Sequence, residues 1–555
     1  MKKLFFILIT APFLFSSCDL DTFPNDELTP EDLSNVAEGA IFATDGNYAM
    51  FKDILEFDGN VYSANSYVRH FFQMAEFPGD NICLSGRTSD PLYEATAYKR
   101  SPNVRNVRYL WWIMYKVING ANNIIETIGD DASPEFAYIK GENLVLRATA
   151  HLHLSMLWSR PYSHGRDNPG VILCTDAEGK EPMRATVGEV YDQIAVDLEQ
   201  AVQLMGNTEK RGKNNGYISK ATAQGLLSRV YLYMERNEDV IRIVNEMLST
   251  TSPESVLEST ATYPAYFANA LISKETLWCI GHTLPESRAS SSLASMYLTD
   301  GVGWGEIYAS DPYLDLLSRY PADARSKFII PQEREGDQYM VRWAVPSKDD
   351  FYEFVLKDVT WDTSVSKYYF EEGASKIYVE TEKINGFDQN YITIDGSKQI
   401  ARVSKKMDHR NGYPKFFMNK YSYQDGNAML SSPVIIRWAE VILNRAEAYA
   451  KTNQNDNAYA DVNTIRKRAG LPSNAMFSGS NMQGYTQALD IVLDERRLEL
   501  SFEGHRTHDI YRNKRSMDRK FAGAHPWEVV DHTDNRIVFL LPTDEILQSG
   551  IAQNP

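Results

Sequence analysis

The amino-acid sequence predicts a mainly α fold, in which a tetratricopeptide-like scaffold of helical hairpins carries an inserted, loop-rich region with short strands. Three observations predict it. Apolar residues recur with the helical period before about residue 250 and again after about residue 430. The period mostly disappears between these limits, where β-branched and aromatic residues and Asn-Gly and Asp-Gly turns occur instead. A short polar turn separates two helical segments near the C-terminus, as in an antiparallel hairpin.

The composition excludes several classes of protein. Hydrophobic residues make up 43% of the 555 positions and charged residues 24%, which is ordinary for a globular chain and argues against disorder. The chain has 57 Lys and Arg against 74 Asp and Glu, and this net charge of −17 argues against a nucleic-acid partner, since phosphate binding needs a cationic surface. Four cysteines are too few for a disulfide-stapled scaffold.

The first residues carry the features of a lipoprotein signal. Met1–Lys3 is basic, and Leu4–Phe15 is a largely apolar run that is too short to span a bilayer as a helix. Two serines then precede Cys18, which resembles a bacterial lipobox. We therefore expect residues 1–17 to be a signal peptide, Cys18 to carry lipid, and residues 18–30 to tether the body to a membrane.

Residues 31–250 are expected to form the N-terminal part of the helical scaffold. Thr186 and Glu189 make a capping box, in which each side chain accepts a hydrogen bond from the other residue's backbone N–H. This box predicts a helix that Gly206 ends. The other expected helices are Tyr109–Ile128, Glu142–Ser159 and one that follows Ser219.

Residues 431–555 are expected to form the C-terminal part of the same scaffold. Ser432 is a suitable N-cap and Pro433 suits the first helical position, so a helix is expected to begin there. A polar turn at Thr452–Asp456 leads to a second helix, which Gly470 ends. A hairpin of about 34 residues is typical of a tetratricopeptide-type unit. The apolar face of the first helix is Ile435, Trp438, Ile442, Ala446 and Tyr449.

Residues 251–430 are expected to form the loop-rich, ligand-binding region. Lys376–Glu380 and Tyr391–Asp395 have the composition of short strands. Loops on a rigid scaffold often carry binding sites, so the ligand is expected here.

Trp304 is the main candidate for ligand binding. Glycines flank it in Gly301–Tyr308 and give it little side-chain cover. An indole presented in this way can stack on the C–H face of a sugar ring, while nearby polar groups bind the hydroxyls. The alternative is that the indole folds inward and anchors its own loop. The residues alone leave both possibilities open.

Two constellations could suggest enzyme or metal chemistry. Paired carboxylates can hydrolyse glycosides, but Glu495 shares a helical face with Ile491 and Leu498. We therefore expect Glu495 to be a buried partner of arginine. His505 and His508 lack a third ligand at suitable spacing, so no metal is expected, and no nucleotide-binding motif predicts a cofactor.

Four segments carry the motifs of one known family. They are Gly141–Ala148 (GENLVLRA), Ile436–Tyr449 (IRWAEVILNRAEAY), Asn463–Pro472 (NTIRKRAGLP) and Glu495–Arg506 (ERRLELSFEGHR). With the final Gln-Asn-Pro, they resemble the SusD/RagB family of outer-membrane nutrient-binding lipoproteins. The resemblance implies a tetratricopeptide-like fold, a location on the outer membrane facing the exterior, oligosaccharide binding without catalysis, and docking on a SusC-like TonB-dependent transporter.

The resemblance also implies a set of contact residues. In the starch-binding member, an early arginine and an aromatic residue at a place like that of Trp304 contact the glycan, and Arg69 is the nearest match for the arginine. The expected glycan contacts are Trp304, Arg69, Asp80, Asn81, Arg87, Tyr297 and Tyr308.

The sequence therefore predicts a surface lipoprotein that binds oligosaccharide and passes it to a transporter. Three alternatives remain open: a peptide-binding relative of the same class, a lipid-anchored glycoside hydrolase, and a helical adaptor without a small ligand.

Overall fold

The computed structural model describes residues 37–88, 90–178, 182–347 and 351–555, so the expected signal peptide, Cys18 and the tether lie outside the described residues. Helices dominate the described chain, which confirms the mainly α prediction. The helices are α1 (Ala37–Ala49), α2 (Tyr67–Glu76), α3 (Leu92–Thr96), α4 (Arg105–Thr127), α5 (Pro134–Trp158), α6 (Val187–Met205), α7 (Lys220–Tyr233), α8 (Asn237–Met247), α9 (Pro253–Val256), α10 (Leu293–Tyr297), α11 (Asp311–Leu317), α12 (Trp438–Lys451), α13 (Asn455–Arg468), α14 (Ala488–Glu499), α15 (Arg506–Arg512) and α16 (Thr543–Ser549).

The long helices form a continuous layer in which each packs on the next. The run α4 to α8 packs in chain order, and α12 then packs on α7 and α8, which joins the two ends of the chain. Helices α12 and α13 form the expected hairpin, with its turn between Lys451 and Asn455. One large hydrophobic core runs through this layer, and a second lies between α12, α13 and α14.

The local signals at helix starts are mostly confirmed. Thr186 Oγ1 accepts from the Glu189 N–H at 3.2 Å, and Glu189 accepts from the Thr186 N–H at 2.8 Å, so the capping box is present. Ser219 caps α7 in the same manner. Helices α4 and α5 begin earlier than predicted, at Arg105 and Pro134.

The predicted helix start at Ser432 and Pro433 is wrong. Val434–Arg437 forms a strand that pairs with Thr276–Cys279, and α12 begins at Trp438. The β-branched residues of this strand are buried on both faces, so a partner strand from the middle of the chain outweighs the local capping signal.

The inserted region contains more sheet than the sequence predicts. Twenty strands are described in the chain, and eight of them form one antiparallel sheet, with seven in the order β10-β9-β8-β7-β13-β12-β11 and β19 paired with β8. The strands are β1 (Ile82–Leu84), β2 (Pro169–Ile172), β3 (Arg184–Thr186), β4 (Thr276–Cys279), β5 (Ile307–Ala309), β6 (Ile329–Pro331), β7 (Tyr339–Pro346), β8 (Phe351–Asp362), β9 (Lys367–Glu372), β10 (Ser375–Tyr378), β11 (Glu380–Ile384), β12 (Phe387–Ile394), β13 (Ser397–Lys405), β14 (His409–Arg410), β15 (Tyr413–Pro414), β16 (Phe416–Met418), β17 (Val434–Arg437), β18 (Met517–Asp518), β19 (Gly523–Pro526) and β20 (Val529–Val530).

The sheet curls back on itself at Val379. This residue separates β10 from β11, which stand at opposite ends of the strand order, so the two ends of the sheet meet there. The segment Lys376–Glu380, predicted as one strand, is therefore divided between two. The sheet encloses its own hydrophobic cluster, which includes Val341, Trp343 and Ile392.

A buried ion cluster attaches the sheet to the helical layer. Asp311 at the start of α11 accepts from Arg342 of β7 at 2.9 Å and lies 2.9 Å from Arg402 of β13. No described helix combines the length and the apolar character that crossing a bilayer requires.

Candidate functional site

Helix α2 holds Arg69 in place from the interior. Ser66 caps the helix by accepting from the Arg69 N–H at 3.3 Å, and all ten residues of α2 are buried. The Arg69 side chain is 3% exposed and donates from Nη1 to the Ala64 carbonyl at 2.9 Å. Its Nε atom is buried and has no hydrogen-bond partner among the described residues.

The glycines around Trp304 permit a close approach of backbone to backbone. A Cβ on Gly303 would lie 2.4 Å from the Ser295 carbonyl oxygen, which is closer than side chains tolerate. Gly301 and Gly305 have φ of +85° and +69°, a region that favours glycine. These features let the loop press onto α10, where the Trp304 N–H donates to the Ser295 carbonyl at 2.9 Å.

The structure brings Arg69 and Trp304 together. The guanidinium carbon of Arg69 lies 4.9 Å from the centre of the indole ring, within the range of a cation–π contact. The indole Nε1 donates to the Ser290 carbonyl at 2.9 Å. Trp304 is partly buried against the main core, and part of the ring stays exposed. The indole thus anchors its own loop and also reaches the surface, and sugar stacking on it stays a prediction.

The electrostatic surroundings of Arg69 are mixed. The pKa of Arg69 is lowered to about 10, chiefly by burial; the charge of Asp90 opposes this shift and that of Arg105 adds to it. The guanidinium therefore stays protonated at neutral pH despite its burial.

Tyr62 and Arg105 extend this surface beyond Trp304. Tyr62 is 37% exposed, and the guanidinium of Arg105 lies 4.2 Å from its ring centre. The Ser291 hydroxyl donates to the Ser63 hydroxyl at 3.2 Å, which ties the Tyr62 loop to the segment beside Trp304. Neither Tyr62 nor Arg105 was among the expected contacts. The signal for both is weak: a tyrosine in a polar loop, and a basic residue at a helix start.

Arg87 is exposed on the side of the surface that faces the sheet. Its guanidinium lies 5.5 Å from the ring centre of Phe351 at the start of β8. Strand β1 pairs with strand β5. Arg87 follows β1 and Trp304 precedes β5, so both residues lie next to the same pair of strands. Arg410 reinforces the junction by donating to Glu306 at 3.0 Å.

Asp80 and Asn81 do not lie on this surface, and here the expectation from the sequence needs correction. Arg506 binds the Asp80 carboxylate with two hydrogen bonds of 2.7 and 2.9 Å, and Arg497 binds Asn81 at 2.9 Å. Burial alone would raise the pKa of Asp80, but the charges of Arg497 and Arg506 hold it well below its usual range. Both side chains are buried and join the N-terminal part of the chain to the C-terminal helices.

Tyr297 and Tyr308 are also buried rather than exposed. The Tyr297 ring packs in the core, 5.8 Å from the ring centre of Tyr421. Tyr308 donates from its hydroxyl to the Gly305 carbonyl at 3.0 Å. Tyr308 therefore supports the Trp304 loop from below and does not face solvent.

Two family models match the sequence, and they cover different parts of it. One, described as the SusD family, matches residues 289–538, and the other, described as starch-binding and associating with the outer membrane, matches residues 56–232. Together they span more than half of the chain and include all four segments whose motifs suggested the resemblance. The chain belongs to the SusD family.

Similar proteins share this SusD-family architecture over their full lengths. SusD-like protein P2 of Formosa agariphila is 24% identical, over 98% of this chain and 96% of its own. The structure of a SusD superfamily protein from Bacteroides thetaiotaomicron matches with a TM-score of 0.69 and 23% identity, over 95% of this chain and 100% of its own. A structure described as a laminarin-binding SusD-like protein matches with a TM-score of 0.57 and 19% identity, over 93% and 99%. These likenesses show that the chain has the SusD fold.

The SusD-family motifs of the C-terminal part meet in a buried ion network. Glu495 accepts from Arg325 at 2.7 Å and from Arg466 at 2.8 Å, which confirms that it is a structural partner of arginine. Glu499 is bound by Arg437 at 2.6 Å and by Arg468. The carboxylates that suggested glycosidase chemistry are thus buried in ion pairs that join α13, α14 and β17.

Proposed function

We propose that this chain is a lipid-anchored protein of the outer membrane that binds an oligosaccharide at the surface around Trp304 and delivers it to a TonB-dependent transporter. The observation that carries the proposal is the position of Trp304, whose partly exposed indole is held by a glycine-bounded loop against the guanidinium of Arg69.

This arrangement suits the chemistry of a sugar. Aromatic rings at the surface stack on the apolar C–H face of a pyranose, and arginine and backbone groups nearby can bind its hydroxyls. Tyr62, which is 37% exposed, supplies a second ring on the same surface. Two separate rings fit an extended chain of sugars better than a single small molecule.

The matched proteins support a carbohydrate ligand. One family model is described as starch-binding, and one matched structure is described as laminarin-binding. The burial of Glu495 and Glu499 in ion pairs supports binding without bond cleavage. Moderate affinity suits this role, because a protein that hands over its ligand must also release it.

Titration calorimetry with a panel of oligosaccharides, including laminarin fragments, tests the proposal. Trp304→Ala should weaken binding of the recognised sugar by about tenfold or more, since it removes the stacking ring. Trp361→Ala is the matched control, because Trp361 is 48% exposed on the sheet and belongs to another surface. Both variants should unfold at nearly the temperature of the parent.

Three results would contradict the proposal. Unchanged sugar binding by Trp304→Ala would remove its central residue. New reducing ends after incubation with polysaccharide would indicate a hydrolase. Binding to a peptide library without binding to any glycan would indicate the peptide-binding alternative.

Delivery to a transporter rests on the family resemblance and needs its own experiment. Purification of the full-length protein from outer membranes in mild detergent should yield a stoichiometric complex with a TonB-dependent transporter, identified by mass spectrometry. Recovery of the protein without a transporter would contradict this part.

A further inference from the structure

We propose that the surface around Trp304 selects oligosaccharides that carry anionic groups, namely carboxylates or sulfate esters on the sugar rings. The inference rests on the proposed function, since it names the class of sugar that the same surface binds. It depends on Arg69 and Arg105, whose buried Nε atoms have no hydrogen-bond partner among the described residues.

The two rings that reach this surface, Trp304 and Tyr62, are each paired with an arginine. The distances from guanidinium carbon to ring centre are 4.9 Å for Arg69 and Trp304 and 4.2 Å for Arg105 and Tyr62. A surface built for neutral sugars needs the rings but not a cation beside every ring. The pairing is unexpected in a chain whose net charge is −17.

The Trp304 and Tyr62 pairs form one continuous patch. Arg69 donates to the carbonyl of Ala64, two residues after Tyr62, and Ser291 donates to Ser63. Trp304 in turn donates to the carbonyl of Ser290. These bonds connect the loops that carry the two ring–arginine pairs through a short serine-containing segment.

The arginines of this patch have hydrogen-bond donors that remain unused. The Nε atoms of Arg69 and Arg105 are both buried and have no hydrogen-bond partner among the described residues. Arg69 is almost fully buried, and the positive charge of Arg105 lowers its pKa rather than raising it. Desolvated cations that repel one another favour an anion as their common partner.

Three acidic side chains lie around this patch, and two of them are bound by arginines outside it. Asp90 is the carboxylate whose charge raises the pKa of Arg69. Glu306 is bound by Arg410 at 3.0 Å, and Asp53 by Arg288 at 3.3 Å, so each of these acids already has an arginine of its own.

The start of helix α4 adds further positive potential. The helix is 23 residues long and begins at Arg105, yet its N-cap Val104 makes no side-chain cap and its first turn holds no acidic residue. A helix N-terminus carries partial positive charge, so a cation there is unfavourable by itself and favourable beside an anion. An anionic ligand would therefore stabilise Arg105 at this helix start.

Guanidinium groups recognise carboxylate and sulfate by the same chemistry. The planar fork of N–H donors can bind two oxygens of either group at once, while the paired ring stacks on the sugar that bears it. A neutral glucan offers only hydroxyls to these cations. The expected ligand is therefore a uronic-acid or sulfated oligosaccharide.

Matched probes test the charge of the sugar and leave its rings unchanged. One pair is oligogalacturonate and its methyl-esterified form, and the other is a sulfated galactan oligosaccharide and its desulfated form. Calorimetry on the full chain should show that the charged member of one pair binds about tenfold or more tightly than its neutral partner. The pair that shows the difference tells carboxylate from sulfate. The affinity for the charged member of that pair should fall about fivefold between about 50 and about 300 mM NaCl, because salt screens the charges.

Arg105→Gln provides the test at the residue level. Arg105 is only partly buried, and glutamine keeps much of its length, so the variant should fold. It should lower the affinity for the charged probe about tenfold and change that for the neutral partner less than about twofold. The matched control is Arg242→Gln, which lies on α8 in surface pairs with Asp239 and Glu246 and should not change either affinity.

The possible outcomes separate this inference from the proposed function. The inference of an anionic ligand is overturned if the charged and the neutral sugar of each pair bind with equal affinity. It is also overturned if Arg105→Gln binds the charged probe as tightly as the parent does. If a neutral sugar still binds and Trp304→Ala weakens it, the proposed function stands alone. If no sugar of any charge binds, both fail.

Discussion

The guanidinium of Arg437 lies 2.6 Å from the carboxylate of Glu499, and both side chains are completely enclosed by protein. Arg437 also binds Glu503 and Glu275, each at 2.9 Å. The residue belongs to strand β17, Glu499 ends α14, and Glu275 precedes β4. One arginine therefore holds together a strand pair from the middle of the chain and a helix near its end.

Arg437→Met should be strongly destabilising. The substitution keeps the volume of the side chain but leaves Glu499 and Glu503 buried beside one another with less positive charge. Breaking a buried ion pair from one side typically costs about 3–5 kcal/mol, and the free energy of unfolding from urea titration should fall by this amount. Arg242→Met on the surface of α8 should cost less than about 1 kcal/mol. A loss at Arg437 as small as that at Arg242 would contradict the structural role.

Gly303→Ala should disturb the Trp304 loop without unfolding the protein. The added Cβ would lie 2.4 Å from the Ser295 carbonyl oxygen, so the loop must lift away from α10. We expect a shift in tryptophan fluorescence and about a tenfold loss of sugar affinity. Gly46→Ala on α1 is the control, because no heavy atom lies within 4 Å of its Cβ position. Parent-like fluorescence and affinity in Gly303→Ala would show that the glycine is dispensable.

Stability should depend on pH through Glu76. Burial raises the pKa of Glu76 to about 7, although hydrogen bonds from Asn81 and from the Gly504 N–H oppose the shift. The unfolded chain has a pKa near its usual value of about 4.3, so the folded state holds a proton that the unfolded state releases. The contribution of Glu76 to stability is therefore greatest below about pH 4 and is lost as the pH rises to about 7.

Comparison with Glu76→Gln isolates this effect. The glutamine does not titrate, so the unfolding free energy of the variant relative to the parent should rise by about 2–3 kcal/mol between pH 5 and pH 8. Urea titrations of both proteins at the two pH values measure it, and the other titrating groups cancel in the difference. A difference that stays constant with pH would contradict the raised pKa.

Cys18→Ser should abolish membrane attachment. A serine at this position has no thiol to carry the lipid, so we expect no incorporation of labelled palmitate and loss of the protein from the membrane fraction. Cys174→Ser, at a partly exposed cysteine in the body, should keep both. Palmitate labelling of Cys18→Ser would place the anchor elsewhere.

Local sequence signals predicted the helical scaffold well. The capping box at Thr186 and the hairpin of α12 and α13 depend on neighbours within a few residues, and both are present. The start of α12 was wrong because β4, more than 150 residues away, pairs with the segment that looked like its first turn. The curled sheet was underpredicted for the same reason, since its strand pairing is set by contacts distant in sequence.

The candidate site was only partly accessible to prediction from the sequence. Arg69 and Trp304, two of the expected contacts, lie side by side in the structure, and binding at them stays a prediction. Asp80 and Tyr297 were misplaced, since a polar or aromatic residue type does not say which way the side chain points. Tyr62 and Arg105 were missed because their pairing depends on how one loop approaches one helix start.

The burial of α2 has a consequence for how fast a ligand could be exchanged. Arg69 projects from a helix with no exposed residue, so its guanidinium has already lost its rotamer freedom before any encounter. Under the proposed function, capture would require little further ordering of the protein, which lowers the entropic barrier to association. Such a rigid platform can fill and empty rapidly while its affinity stays moderate.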